Sequence, residues 1–416
     1  MTRPLYTLLL ALALPLILAR LWWRGRREPG YRRFIAERFG YFEIGPDRPV
    51  IWVHAVSVGE VRAAAPLVRA LVEEYPEHQM LVTCMTAAGR DTVKQVYGES
   101  VLAAFLPYDF PGAMQRLIER FRPRLAVLME TEIWPNMLQA CTDNDVGVML
   151  ANARMSEKSA RGYARRPQLF APAFAALGAV CAQSEADAAR LRGLGAGRVA
   201  VAGNIKFDVV PDASQLAAGQ AYARQIERPV LLFASTREGE EAMLLDALAG
   251  RTEGLIVAVV PRHPQRFDEV AAVATARGFP IARRSTREGP RKLLLGDTMG
   301  EMAFYYGLAD VAVIGGSFQP LGGQNLIEAC AAGVPVVIGP SVFNFSEATR
   351  LALEAGAALQ AGDPAEAIKA ALALLEDPAR RAAMGEAGRR LCDVHRGATA
   401  RHLAVARELI TAPAPG

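Results

Sequence analysis

Cysteine and histidine are scarce in this chain, and neither is grouped. The 416 residues include five cysteines and five histidines, with no CxxC, HxxxH or HExxH pattern. A disulfide framework or a metal site built by the protein needs such residues at close spacing. We therefore expect free thiols, a reducing compartment, and neither a metal nor another cofactor.

The chain also has little net charge. Lys and Arg outnumber Asp and Glu by 47 to 43, which leaves a formal net charge of +4. So small an excess gives no support for a nucleic-acid partner, which calls for a strongly basic surface. Arginines are nevertheless concentrated after the N-terminus, at Arg20, Arg24, Arg26, Arg27, Arg32, Arg33 and Arg38.

A long uncharged apolar run occurs at residues 4–19. At about 1.5 Å per residue it falls short of a hydrocarbon core of ~30 Å, unless Arg20 snorkels and extends the run through Trp23. A cleaved signal peptide is the alternative, but the positive charge follows the apolar run and no A-x-A-like site comes after it. We predict an uncleaved anchor that spans the bilayer or lies in its interface, with the arginines in the cytoplasm.

From about residue 49, apolar runs such as PVIWVH, QMLVTC and RLAVLM alternate with segments of helical period. Runs that are apolar at nearly every position indicate parallel strands covered on both faces. Residues 208–227 interrupt the rhythm with Pro, Asp and Ser and are interpreted as a linker. The pattern predicts an α/β fold with an anchor and basic segment at 1–27 and two doubly wound domains at 28–207 and 228–411. A cleft is expected between the carboxyl ends of their strands.

In the second half, GGSFQPLGGQNLIE (315–328) follows the apolar run DVAVI. Glycines allow close backbone approach, and amides at a helix start favour an anionic group. Glu328, one turn beyond Asn325, could accept hydrogen bonds from ribose hydroxyls. A tight turn with an asparagine cap is the alternative interpretation.

Two further candidate sites follow strands in the same half. Arg262, in VVPRHP, could pair with a phosphate, or could be a solvated side chain. Met299, Gly300 and Glu301, in GDTMGEM, precede a predicted helix and could touch a base or a ribose. Glutamate near a helix start is ordinary, so this second pattern is weak by itself.

In the first half, a carboxylate stands where a strand, a short turn and a helix would usually hold a phosphate. Glu60 lies in HAVSVGE, and Ser57-x-x-Glu60 also matches a capping box. METEIWP adds Glu130 and Glu132 after another strand, so these carboxylates should emerge at the same sheet edge. Clustered carboxylates can act as general bases when burial raises their pKa. Lys206, in GNIKFD, adds a cation there.

Together these motifs resemble the Kdo transferases of lipopolysaccharide synthesis, which attach 3-deoxy-D-manno-octulosonic acid (Kdo) to the lipid A precursor. The similarity runs from GYRRF..ERFGYF through HAVSVGE, LPYDFP, METEIWPN, ANARMS, GNIKFD, VPRHPQRF, GDTMGEM and GGSFQPLGGQN to GPSVFNFSE. It implies the GT-B fold, in which two Rossmann-like domains face a cleft. Residues 28–207 would bind the acceptor and 228–411 the donor CMP-Kdo, on the cytoplasmic side of the inner membrane, without a metal.

The resemblance also implies roles for individual residues. Glu60 would be the general base, with Glu130 and Lys206 as transition-state stabilisers. The CMP contacts would be Pro261, Arg262, Met299, Gly300, Glu301, Asn325, Leu326, Ile327 and Glu328. The implied reaction is an inverting transfer to a lipid A precursor, the tetraacyldisaccharide 1,4′-bisphosphate. A UDP-sugar transferase or epimerase of the same fold, and an inactive membrane-tethered scaffold, are the alternatives.

Two positions depart from the wording that is commoner in this family. Gln324 replaces a frequent histidine in GGHN, and Arg237 replaces the histidine of STHEGEE. Both replacements keep a hydrogen-bonding side chain, so activity should persist. Donor affinity, or its pH dependence, could differ.

Overall fold

The computed structural model describes residues 1–26, 28–286, 289 and 291–411. Arg27, the last residue of the predicted anchor segment, lies outside the described residues. The chain divides into two compact units: Met1–Asp208 together with the segment from Arg396 onward, and Val209–His395. Each unit is built on its own parallel sheet.

The strands within the described residues are β1 (Val50–His54), β2 (Gln79–Cys84), β3 (Val101–Phe105), β4 (Pro123–Met129), β5 (Gly147–Ala153), β6 (Ala179–Ala182), β7 (Val199–Val201), β8 (Val230–Thr236), β9 (Ile256–Pro261), β10 (Ile281–Arg283), β11 (Leu293–Leu295), β12 (Val311–Ile314), β13 (Val336–Ile338) and β14 (Ala358–Gln360).

The helices within the same residues are α1 (Arg3–Arg24), α2 (Val58–Ala63), α3 (Ala65–Glu74), α4 (Ala87–Tyr97), α5 (Pro111–Phe121), α6 (Pro135–Asp143), α7 (Glu157–Ala164), α8 (Pro167–Ala175), α9 (Glu185–Gly193), α10 (Ala213–Ile226), α11 (Glu240–Leu248), α12 (Phe267–Ala276), α13 (Met302–Leu308), α14 (Ile327–Ala332), α15 (Ser346–Glu354), α16 (Pro364–Glu376), α17 (Pro378–His395) and α18 (Ala398–Thr411). Short 3-10 helices cover Pro29–Arg32, Ile35–Phe39, Gly98–Ser100, Ile205–Asp208 and Pro264–Arg266.

Both sheets are parallel and doubly wound, as predicted from their apolar strands. The first has the order β3-β2-β1-β4-β5-β6-β7, and the second β10-β11-β9-β8-β12-β13-β14. Every residue of β1 is buried, because helices cover both faces of the sheet. Val53 of β1 pairs with Val82 of β2 on one side and Val127 of β4 on the other. The predicted fold class is confirmed.

The strand order creates one switch point in each sheet. In the first sheet, β1 and β4 are neighbours whose following segments leave toward opposite sides. In the second, β8 and β12 are the corresponding pair. Ligands of open parallel sheets bind at the carboxyl ends of the strands beside such a point. A ligand site is therefore expected among the segments that follow these four strands.

Residues 208–227, interpreted from sequence as a linker, contain helix α10, which packs against α13. Glycines make this packing close. A Cβ on Gly219 would lie 2.0 Å from the Phe304 carbonyl oxygen, and one on Gly307 would lie 2.3 Å from that of Leu216. Most of the segment is thus part of the second unit's packed structure.

The final helix lies outside the second domain to which the sequence assigned it, residues 228–411. Helix α18 belongs to the first unit, where it packs against α3 and β5. The Asp208 carboxylate accepts hydrogen bonds from the Gly397 amide (2.6 Å) and the Ala398 amide (3.2 Å), so it caps this helix. These contacts join residues that are far apart in sequence, which apolar periodicity does not report.

Candidate active site

Glu60 lies at the first turn of α2, directly after β1. One carboxylate oxygen accepts a hydrogen bond from the Val56 amide at 2.7 Å, and the other accepts one from the Ser57 hydroxyl at 3.3 Å. Ser57 makes no side-chain cap to the helix amides. The reciprocal capping box is therefore only partly formed. Since a carboxylate offers about four acceptor sites, Glu60 can also accept a hydrogen bond from a ligand.

Glu130 follows β4, on the other side of the switch point. Its φ of 58° is in the left-handed region, which is uncommon for a residue other than glycine. Its amide donates to the Ala151 carbonyl at 2.9 Å and its carbonyl accepts from the Arg154 amide at 3.3 Å, so the end of β5 holds this conformation. Backbone strain of this kind occurs preferentially at functional sites.

Lys206 is paired with Glu130. Its ammonium nitrogen lies 3.3 Å from a Glu130 carboxylate oxygen, and each side chain is about a quarter exposed, at 22% and 23%. The sequence placed both residues at one sheet edge, and the structure brings them into contact. Their charges are thus held together in a partly dehydrated setting, where electrostatic interactions are stronger than in bulk water.

Burial and neighbouring charge change the acidity of the first carboxylate. Burial, and then the charges of Glu130 and Glu132, raise the pKa of Glu60 to about 8, against the lowering effect of the hydrogen bond from Val56. Burial also raises the pKa of Glu132, whose carboxylate accepts a 2.6 Å hydrogen bond from the Trp134 indole. A carboxyl with a pKa near neutrality has the property expected of a general base.

The segment that carries Lys206 is held on both sides by residues for which the sequence predicted no individual role. Asn152 accepts the Ile205 amide through its side-chain oxygen at 3.1 Å, and Asp208 caps α18. From α18, His402 Nε2 accepts the Asn152 amide at 2.9 Å, while its Nδ1–H donates to the Ala398 carbonyl at 2.7 Å. Because an amide can only donate, His402 must be neutral, and burial lowers its pKa to about 4.

The glycine-rich segment after β12 forms a closed loop in the second unit. Gly316, Gly322 and Gly323 all have φ between 68° and 84°, which glycine adopts without strain. The Gly323 amide donates to the Gly316 carbonyl at 2.7 Å, and the Gln324 amide to the Gly315 carbonyl at 3.0 Å. These two amides are thus bonded within the loop and shape it.

A buried glutamate supports the same loop. Glu240, which is fully buried, accepts hydrogen bonds from the amides of Gly316 at 2.6 Å, Phe318 at 2.9 Å and Arg237 at 2.9 Å. It therefore joins the segment after β8 to the loop after β12, across the switch point. The sequence singled out Arg237 in STREGEE but not Glu240, because the glycine-loop amides that Glu240 binds lie more than 70 residues away along the chain.

The predicted CMP contacts after the loop differ in their hydrogen bonds and in their exposure. Asn325 accepts the Ile327 amide at 3.0 Å and donates to Glu328 at 2.9 Å. Leu326 and Ile327 are buried, at 0% and 1% exposure, and so belong to the core of the second unit. Glu328 is near the start of α14, as the spacing predicted.

The remaining predicted contacts follow β9 and β11, which are neighbours in the second sheet. Pro261 ends β9, and the Arg262 amide donates to the Thr236 carbonyl at 2.9 Å, beside the switch point. Gly300 accepts a hydrogen bond from Gln215 at 3.0 Å. The Glu301 carboxylate accepts from Arg284 at 3.0 Å, and Met299 is 59% exposed.

Other features of the described residues concern metals, thiols and membranes. All five cysteines are buried and unpaired. No group of three or more His, Cys, Asp and Glu side chains among the described residues could hold a metal ion. Helix α1 is, within that part of the chain, long and apolar enough to cross a membrane by length and composition. This agrees with the predicted N-terminal anchor.

Two solved structures share the fold. A glycosyltransferase from Rickettsia africae ESF-5 has a TM-score of 0.57 at 14% identity and covers 88% of this chain and 100% of its own. The UDP-GlcNAc 2-epimerase from Neisseria meningitidis bound to UDP-GlcNAc has a TM-score of 0.54 at 13% identity and covers 87% and 100%. At such identities the likeness concerns the fold alone.

Sequence relatives are much closer. Residues 33–209 match the family model of 3-deoxy-D-manno-octulosonic-acid transferases (Kdo transferases), and residues 292–391 match glycosyl transferases group 1. The 3-deoxy-D-manno-octulosonic acid transferase of Bordetella pertussis is 47% identical over 97% of this chain and 98% of its own. That of Haemophilus influenzae is 35% identical over 97% of each. This chain belongs to the 3-deoxy-D-manno-octulosonic acid transferase family.

Proposed function

We propose that this protein transfers Kdo from CMP-Kdo to a lipid A precursor in lipopolysaccharide synthesis. The observation that carries the proposal is the 47% identity to a Kdo transferase over almost the whole of both chains. The proposed site residues add chemical support, because Glu60, Glu130 and Asn325 follow the switch-point strands β1, β4 and β12. A second function is not favoured, since the UDP-dependent neighbour shares only the fold.

In this proposal, Glu60, at the carboxyl edge of the first sheet, activates a hydroxyl group of the acceptor. An acceptor hydroxyl oxygen forms a bond to the anomeric carbon of Kdo, and Glu60 takes the hydroxyl proton. The bond from that carbon to the CMP phosphate breaks, and CMP leaves with the bonding electrons from the opposite face. The transfer is thus inverting, with an oxocarbenium-like transition state, as in other glycosyl chemistry.

Lys206 provides positive charge for the same step. In the transition state, negative charge grows on the leaving phosphate, while the Kdo carboxylate is already anionic. An ammonium group aimed at either stabilises the transition state without reorganising at the moment of reaction. Glu130, at 3.3 Å from Lys206, orients it and offsets its charge before the donor binds.

The second sheet edge binds the donor. Arg262 and the Asn325 amide contact the phosphate, and Glu328 accepts hydrogen bonds from ribose hydroxyls. The loop from Gly315 to Gln324, held by Glu240, brings the Asn325 amide into position. No metal or other cofactor takes part in this proposal.

The acceptor in this proposal is a lipid, and it therefore lies in the membrane. Helix α1 anchors the protein to the cytoplasmic face of the inner membrane, where a lipid-linked sugar can reach Glu60. Arg20, Arg24, Arg26, Arg32 and Arg33 then attract anionic lipids, or the phosphates of the acceptor, at about 1 kcal/mol per charge near the surface.

The test uses purified protein, CMP-Kdo and a lipid A precursor, with mass spectrometry of the product. Wild-type protein should add Kdo, and Glu60→Gln should lose about 10²–10⁴-fold in turnover, the range typical of general-base catalysis. CMP-Kdo should still raise the melting temperature of Glu60→Gln, since the donor is bound elsewhere. Glu99→Gln, which changes an exposed carboxylate of the same unit, is the matched control.

Three outcomes would count against the proposal. Near-wild-type transfer by Glu60→Gln would remove Glu60 from the mechanism. A rise in melting temperature with UDP-hexoses but not with CMP-Kdo would instead favour a UDP-sugar enzyme. Failure of the wild-type protein to modify a good lipid acceptor would favour an inactive scaffold.

A further inference from the structure

The N-terminal end of α1 is attached to the unit that carries Glu60. The Tyr6 hydroxyl donates a 3.0 Å hydrogen bond to the Asp109 carboxylate, and the Asn136 side chain donates to the Thr7 hydroxyl at 2.9 Å. Asp109 and Asn136 are both buried, at 1% and 2% exposure. These are specific polar contacts, because each joins a side chain of α1 to a side chain that is buried in the first unit.

The C-terminal end of α1 is attached to the same unit. Leu21 is buried in a small apolar cluster with Tyr31 and Ala87, and Ala87 begins α4. The Arg32 guanidinium donates to the Trp22 carbonyl at 2.9 Å. Between its two ends, α1 also packs against α6 and α8. The helix therefore lies along the unit.

Such a helix cannot cross a bilayer while these contacts persist. The distance from Tyr6 to Leu21 along α1 is about 22 Å, at ~1.5 Å per residue. A spanning orientation would place Tyr6 near the far side of a hydrocarbon core ~30 Å thick. Asp109 and Asn136 would have to follow it, and with them a polar α/β unit whose loops need water.

The opposite face of α1 is apolar and uncovered. Five leucines between 45% and 74% exposed form a stripe at helical spacing: Leu5, Leu8, Leu9, Leu12 and Leu16. Trp22 and Trp23 are each 55% exposed, and the guanidinium of Arg26 stacks 4.3 Å from the Trp22 ring. Leucines beside interfacial tryptophans and arginines match the layers of one leaflet of an anionic bilayer.

We propose that α1 is an in-plane membrane helix that stays docked on the first unit and does not span the bilayer. One face is held by Asp109 and Asn136, and the leucine stripe enters a single leaflet of an anionic phospholipid bilayer. The inference rests on the cytoplasmic location proposed above, which the experiment checks separately.

This arrangement connects the membrane surface to the acceptor side of the site. Asp109 also accepts the amides of Asn136 at 3.1 Å and Met137 at 2.7 Å, at the start of α6. Helix α6 follows the segment that carries Glu130 and Glu132. The in-plane helix thus fixes that segment at the level of the lipid headgroups, where the sugars of a lipid acceptor lie.

A labelling experiment with the full-length protein distinguishes the two orientations. Thr2→Cys and Ala186→Cys place exposed thiols before α1 and on α9, and the native cysteines are all buried. A membrane-impermeant maleimide should label neither variant in intact spheroplasts, and both in inverted membrane vesicles. Labelling of Thr2→Cys in intact spheroplasts would overturn the in-plane helix. Labelling of Ala186→Cys there would instead overturn the cytoplasmic location.

A second experiment tests the docking. In membranes treated with a mild oxidant, Thr7→Cys with Asn136→Cys should form a disulfide. Leu8→Cys with Asn136→Cys should not, because Leu8 faces away and is 55% exposed. Equal cross-linking of the two pairs, or none in either, would overturn the docked state.

A milder variant covers the case in which the cysteine pair does not fold. Tyr6→Phe should lower the melting temperature by about 2–4 °C, because it removes a donor from buried Asp109. Tyr41→Phe, on a side chain that is 59% exposed, is the control. An unchanged melting temperature for Tyr6→Phe would count against docking.

Discussion

The raised pKa of Glu60 makes the proposed transfer depend on pH in a specific direction. Burial is the main cause, and the charges of Glu130 and Glu132 add to it. A general base acts only when it is deprotonated. Transfer should therefore rise with pH until the carboxyl has lost its proton.

The size of the effect follows from the pKa of about 8. At about pH 7, roughly one Glu60 in eleven is ionised, whereas at about pH 9 roughly ten in eleven are. The value of kcat/KM should therefore increase about tenfold over this interval. An ordinary glutamate, with a pKa near 4.5, would leave kcat/KM unchanged over the same range.

The assay is the initial rate of Kdo transfer at low CMP-Kdo, measured from about pH 6 to 9.5 in buffers of matched ionic strength. Glu132→Gln removes one neighbouring negative charge, so the rising limb should move to lower pH. Glu60→Gln should give low and nearly flat rates. Glu99→Gln, the exposed control, should reproduce the wild-type profile.

Folding stability gives an independent measure of the same pKa. The pKa of Glu60 is higher in the folded protein than its usual value of 4.5, so folding favours the protonated form. That contribution is fully present below about pH 4.5 and is lost as pH rises toward about 8. Relative to wild type, Glu60→Gln should gain stability over this window, as measured by its melting temperature.

Two results would refute this reasoning. A wild-type profile that is flat from about pH 6 to 9 would show that Glu60 is not the titrating base. A rising limb that persists unchanged in Glu60→Gln would assign it to another group.

Three further substitutions test the supporting contacts. Arg266→Ala should destabilise the second unit by about 3–5 kcal/mol in denaturant unfolding, because it leaves buried Glu241 without its bidentate partner at 2.8 and 2.9 Å. His402→Ala leaves the Asn152 amide unpaired and should lower the free energy of unfolding by about 1–3 kcal/mol. It should also lower kcat while the KM for CMP-Kdo stays constant. His402→Gln should partly restore kcat. Glu240→Gln removes an acceptor from the glycine loop and should raise the KM for CMP-Kdo about tenfold.

Matched controls keep these predictions specific. Arg277→Ala breaks an exposed ion pair and should cost less than about 1 kcal/mol. Glu238→Gln, beside Glu240 but 55% exposed, should leave the KM unchanged. Equal losses in each variant and its control would contradict the assigned roles.

Local sequence patterns were sufficient for most of the architecture. Strands such as β1 and β4 are apolar at almost every position, and this indicated parallel sheets covered by helices. Strands β10 and β14 give no apolar run in the sequence, because each has only three residues and one of them is polar, Arg283 and Gln360 respectively.

From the sequence, the candidate site residues could be placed at the ends of strands, but their contacts with one another could not be predicted. Glu130 and Lys206 could be assigned to one sheet edge from parallel topology. Their 3.3 Å contact depends on the left-handed backbone at Glu130, which no local pattern reports. Glu240 was missed because its function depends on amides more than 70 residues away.

The amino-acid sequence by itself determined the alternation of strands and helices, the free cysteines, the apolar N-terminal helix and the membership of the family. These properties depend on periodicity, composition and motif order, which are local or additive along the chain. Tertiary structure alone decided the acidity of Glu60, the return of α18 to the first unit and the attachment of α1 to Asp109. Each of these depends on desolvation or on hydrogen bonds between distant residues, and therefore on the folded arrangement.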